Sequence, residues 1–112
     1  MRTSLAELLA RIPGAPTPEW PAGDRYAEAF VHGTMSFGLY APRGTDPQQP
    51  HAQDELYIIQ SGRGELVVDG RRQSFAPGDV FFVAAGATHR FERFDDDFTA
   101  WVVFWGAQGG EA

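Results

Sequence analysis

From about Arg25 to Trp105, turn-forming residues cut the chain into runs of four to eight residues. Such runs are too short for ordinary helices and the right length for strands. Tyr26–Val31 and Met35–Tyr40 flank Gly33, while Glu55–Gln60 and Glu65–Val68 flank Ser61-Gly62-Arg63-Gly64. Asp69-Gly70 separates Val68 from Arg72–Phe75, and Pro77-Gly78-Asp79 leads into Val80–Val83. His89–Phe94 and Phe98–Trp105 complete the set. Asp-Gly between two such runs predicts a two-residue hairpin turn, because both central positions need positive φ. At the next turn Pro fixes φ and Gly supplies the freedom. Eight short strands at this spacing predict an all-β sandwich or barrel.

Composition agrees. The 112 residues fit one domain large enough to bury its own core. Nine Phe, three Trp and three Tyr, together with Val and Ile, favour pleated and half-buried surface. Ahead of the strands, residues 3–12 read as a short amphipathic helix capped by Thr3 or Ser4, with Leu5, Leu8, Leu9 and Ile12 as its apolar stripe. Pro13-Gly14 stops it, and a Pro-rich connector follows. A helix this short needs something to dock on, either the barrel or a second subunit. The expected organisation is a helix and extension over residues 1–24, a barrel over 25–106 and a flexible tail over 107–112.

Several function classes drop out. A net charge of −6 argues against nucleic acid, which calls for a basic patch. Without cysteine there is no disulfide framework or thiol chemistry. No apolar run is long enough to cross a bilayer and no secretory pattern opens the chain, so a cytoplasmic protein is expected. Asp95-Asp96-Asp97 lacks the spacing of a calcium loop and reads as a solvated turn. Gly62-Arg63-Gly64 lies between strands with no helix after it, so it is a turn rather than a dinucleotide fingerprint. Ser61 has no nucleophile elbow around it.

Histidine is the scarce resource, with only His32, His51 and His89. His32 sits at a hairpin and reads as a surface residue. His51 precedes Glu55 by four residues; in an extended chain, equal parity would turn Gln49, His51, Gln53 and Glu55 to one face, with Tyr57 further along it. His89 opens a later strand. Two imidazoles and a carboxylate suit a borderline divalent metal.

By these residues the chain resembles the cupin superfamily, over roughly residues 30–105. Glu55 is followed by six residues and then Gly62, as in the first cupin motif, and His51 falls at the second histidine of its His-x-His. Gln49 stands where the first would be. In the second motif Gly78, Gly86 and His89 keep the family spacing, while Ala84 and Arg93 replace its Pro and Asn. The resemblance implies a cupin (double-stranded β-helix, or jelly-roll) barrel with a short N-terminal helix. It implies one divalent ion, Fe, Mn, Ni or Zn, held by His51, Glu55, His89 and the Gln49 amide, with Gln53 as the alternative fourth ligand. An amide oxygen is a weak ligand, and a weak fourth position leaves room for water, dioxygen or substrate. Tyr57, Phe91 and Trp101 are expected to line the pocket. The function implied is a metal-dependent enzyme on a small molecule, such as a dioxygenase or isomerase. A non-catalytic module binding a small molecule or metal, and a structural cupin without metal, stay open beside it. Neither nucleic acid nor membrane is an expected partner, and a homodimer is.

Overall fold

The computed structural model describes residues 1–111, and the strands fall where the turn residues place them. They are β1 (Tyr26–His32), β2 (Met35–Tyr40), β3 (Asp54–Ser61), β4 (Gly64–Val68), β5 (Arg71–Phe75), β6 (Val80–Val83), β7 (His89–Glu92) and β8 (Thr99–Trp105). All pairings are antiparallel. They form a five-stranded sheet in the order β1-β2-β8-β3-β6 and a three-stranded sheet in the order β5-β4-β7. Two facing sheets of a jelly roll, rather than one hydrogen-bonded cylinder, thus make up the expected barrel.

Period-two alternation decides which side chains meet between the sheets. Tyr57 and Ile59 of β3, Ala100 and Val102 of β8, Leu66 of β4 and Phe91 of β7 all point inward, joining Phe75 and Phe98 in one core. Phe91 sits at its centre, with ring centroids 4.8 Å from Tyr57 and 4.7 Å from Phe98. At the predicted Asp-Gly hairpin both residues have positive φ, +46° at Asp69 and +82° at Gly70. Gly62 has a second reason to be glycine. Its φ is +81°, and a Cβ there would lie 2.6 Å from the Phe98 Cα.

The helix is shorter than the sequence suggests. α1 spans Leu5–Leu9, with the Ser4 hydroxyl accepting from the Glu7 N–H at 3.1 Å. Five residues cannot hold a helix in water, so docking must. Leu8 is fully buried against Ala27 and Leu39 on the outer side of β1 and β2, with Leu5 and Ile12 packed beside them. Burying Leu8 contributes roughly 2 kcal/mol.

Two segments differ from expectation. Pro42 to Pro50 reads as a polar loop, yet Asp46 within it is only 2% exposed. Its carboxylate accepts from the Tyr40 hydroxyl, from the Gln48 amide at 2.6 Å and from the Phe91 N–H at 2.8 Å. One buried carboxylate thereby ties the loop to both sheets. The expected flexible tail is anchored where it is described: the Gly109 N–H donates to the Ala52 carbonyl at 2.7 Å, and the Glu111 N–H to Asp54 at 3.1 Å. Ala112 lies outside the described residues.

Candidate metal centre

His51, Glu55 and His89 meet inside one end of the sandwich, with one potential ligand atom from each within 4.8 Å of the others. Each arrives from a different element. Glu55 opens β3 in the five-stranded sheet, His89 opens β7 in the three-stranded sheet, and His51 comes from the β2–β3 loop. The His51 and His89 ring centroids are 5.2 Å apart, and Phe104 packs edge-on against His51 at 4.9 Å.

Hydrogen bonds fix which atoms face the centre. His89 Nδ1 lies 3.0 Å from the Ala87 carbonyl, which can only accept, so Nδ1 carries a proton; in the neutral ring Nε2 then holds the lone pair, and in the imidazolium it too is a donor. That Nε2 points at Glu55 Oε1, 3.3 Å away. The pair does not reach hydrogen-bond geometry, and neither atom has another partner among the described residues. Their side chains are 1% and 2% exposed. With the ring neutral these are two buried acceptors face to face, and the raised pKa of His89 reflects the pull of the Glu55 carboxylate for a positive charge between them. A cation supplies what they lack, so the donor set fits a divalent metal.

Beyond the ligands lies a relay the sequence does not reveal. Asp46 takes the Gln48 amide N–H₂, which turns the amide oxygen inward, where it accepts from the Tyr57 hydroxyl at 3.0 Å and meets His51 Nε2 at 3.1 Å. Partners of this kind fix the ring orientation of a ligating histidine. Burial lowers the His51 pKa, with His89 adding to the effect and Glu55 opposing it. Burial would lower His89 too, but the Glu55 carboxylate and the Ala87 carbonyl outweigh it and hold the pKa above the ordinary value. Burial, then the Glu55 charge, pushes the Tyr57 phenol well above its usual range, so it stays a neutral donor.

The glutamines need correction. Residues 51–53 are not strand, so the parity argument fails there. Gln48 turns inward, whereas Gln49 is exposed at the rim of the cavity. Gln53 is bound elsewhere, its amide donating to the carbonyls of Thr34 at 2.9 Å and Gly106 at 3.0 Å. Of the three expected lining residues, Tyr57 is on the wall of the cavity, while Phe91 is core beneath it. Trp101 is on the wrong face: it stacks on Phe37 at 5.4 Å and packs beside the helix, and its neighbour Val102 points inward instead. His32 is exposed at the end of β1, and Asp95 to Asp97 form an exposed turn, as expected.

The centre opens into a cavity of about 430 Å³. One wall is unexpected. The connector folds across the mouth, where paired hydrogen bonds between Thr17 and Trp20 and a 2.8 Å bond from Gly14 to the Asp24 carbonyl hold it. Through it Trp20 and Asp24 reach the cavity. Nothing in the Pro-rich sequence signals that role, because a connector's path depends on what it packs against.

Fold and centre together define a cupin, and comparison with known proteins agrees. The cupin domain family matches residues 36–105, and the chain belongs to that family. An uncharacterised protein of Streptomyces coelicolor is 41% identical over 81 residues, covering 70% of this chain and 77% of its own. The dimethylsulfoniopropionate lyase of Ruegeria pomeroyi is 31% identical over 86 residues, which is 76% of this chain but 39% of the lyase. Among solved structures, a Cupin 2 conserved barrel domain protein from Salinispora arenicola superposes with a TM-score of 0.58 at 29% identity, over 73% of this chain and 75% of the other. No helix among the described residues is long and apolar enough to cross a membrane.

Proposed function

We propose that this cupin is a metal-dependent enzyme that holds a small polar molecule against one divalent ion, Fe, Mn, Ni or Zn, carried by His51, Glu55 and His89. The observation that carries the reading is the pair of facing buried acceptors, Glu55 Oε1 and His89 Nε2, at the inner end of a cavity large enough for a metabolite. When bound, the ion supplies Lewis-acid stabilisation of negative charge on the substrate. The protein's own groups position and protonate. Gln48 orients His51 and accepts from the neutral Tyr57 hydroxyl on the cavity wall, whose proton a substrate oxygen can take over from the Gln48 oxygen. In lyase or isomerase chemistry such a donor stabilises an oxygen that gains charge. The similarity to a lyase adds weight to the first of these. Gln49 at the rim is the amide available as a weak fourth donor.

A binding module without turnover is the second reading. It is favoured by the shortage of general bases, since among the described residues the lining carboxylates besides Glu55 are Glu19 and Asp24 near the mouth.

Metal analysis of the purified chain after exposure to Fe, Mn, Ni and Zn tests the centre. One ion per chain is expected in the wild type and none in a His51→Ala, His89→Ala double variant. Wild-type protein that stays free of stoichiometric metal overturns the metal-dependent enzyme and any module that holds metal. In metal-loaded protein, turnover lost in Tyr57→Phe with metal content unchanged supports the enzyme, and binding without turnover supports the module.

A further inference from the structure

The outer half of the cavity differs in chemistry from the metal end. Trp20, Tyr26 and Tyr40 line it, and Tyr57 lies further in. The rings of Tyr26 and Tyr40 are 6.5 Å apart and tilted by 59°, so they form two sides of a box. Tyr26 takes this place because β2 carries Gly38 beneath it, where any Cβ would collide with the Tyr26 ring. Its hydroxyl is buried and has no partner among the described residues. The charges on the lining are the carboxylates of Glu19, Asp24 and Glu55, with no Lys or Arg among the described residues that form it. Three carboxylates against one divalent ion still leave the lining negative.

Such a lining is unsuited to a second anionic group and well matched to a positive one. Aromatic faces attract a cation through their quadrupoles, more strongly when it is shielded from water. Phosphate or a dicarboxylate would instead need Arg, Lys or an array of N–H donors. We propose that the substrate is a small organic cation whose onium or ammonium head sits among Trp20, Tyr26 and Tyr40, facing Glu19 and Asp24. Its other end reaches inward toward His51 and Glu55. The head group is recognised by the connector and the first two strands, outside the metal ligands. The assignment of the inner end rests on the metal-dependent reading, whereas that of the head group does not.

Calorimetric titration with paired probes tests this. Choline and glycine betaine are each compared with the carbon isostere that has a quaternary carbon in place of nitrogen, so shape is kept and only the charge is lost. Both pairs are titrated into metal-loaded wild type and into the His51→Ala, His89→Ala variant. At least one cation is expected to bind about ten-fold more tightly than its isostere. Trp20→Leu should abolish most of that preference, and Glu19→Gln should weaken it about two-fold, as befits an exposed charge. Equal affinity within both pairs, or no binding of either cation, overturns the proposal. Failure of the metal reading shows differently: no ion is bound, while the preference for choline persists.

Discussion

On the outer face of the three-stranded sheet, Arg72 bridges Glu65 and Glu92 at 2.9 Å each, and Ser74 faces water. The outer face of the five-stranded sheet carries Leu56 and Ile58 of β3, Val103 and Trp105 of β8, and Val80 and Phe82 of β6. Phe82 and Trp105 lie 6.1 Å apart as an aromatic pair, and Val80 and Phe82 are 55% and 58% exposed. One sheet alternates apolar and polar, as expected when one side is solvated; the other is apolar on both sides, as expected when both are covered. At β1 and β2 the cover is visible, for α1 seals Leu39 with Leu8. Toward β3 and β6 the face is open. Exposed apolar patches of this kind are where proteins most often meet partners.

The largest effect is expected where the two sheets are joined. Glu55 belongs to one and His89 to the other, so an ion between them stitches the sandwich. Loss of an outer partner of a metal ligand already weakens binding 10- to 100-fold, so His89→Ala, which removes a ligand, should cost more than about a hundredfold in metal affinity. The thermal midpoint of wild type should rise with added metal and that of the variant should not. Next comes the covered end of the five-stranded sheet. Leu8→Ala should destabilise the fold by about 2–5 kcal/mol in chemical denaturation, since it leaves a cavity over Leu39. At the open end, Phe82→Glu should change monomer stability by less than about 0.5 kcal/mol. If this face carries self-association, Phe82→Glu should abolish it in sedimentation, and a wild type that sediments as a monomer at all concentrations shows that it does not. Smallest of all, Arg72→Ala should leave the unfolding midpoint within error, because exposed ion pairs contribute little. A large loss there would show that the polar face is not simply solvated.

Much of the fold is legible in the chain because strand and turn signals act locally. Asp69-Gly70 states its own backbone, and the alternation in β3 and β8 names most of the inward residues. Trp101 shows the limit of that reading. Its size suggests a pocket wall, but its parity with Phe37 and the helix puts it outside. His51, Glu55 and His89 were legible as a set because metal-ligating residue types are few and their spacing to Gly62 and Gly86 matches a known pattern. The parity argument for Gln49 and Gln53 fails for a physical reason: alternation holds only along a strand, and residues 51–53 are not strand, so Gln49 sits at the rim and Gln53 turns to Thr34 and Gly106.

The sequence by itself determined the all-β class, the positions of the turns and the three residues that converge at the centre, because each depends on local backbone preference or on side-chain type. Tertiary structure alone decided the rest. It chose Gln48 as the amide beside His51, since only the burial of Asp46 turns that amide inward. It carried Trp20 and Asp24 to the cavity, since a connector's course is set by the surface it crosses. It also left Glu55 Oε1 and His89 Nε2 face to face, a fact of geometry between two sheets that no reading of either strand contains.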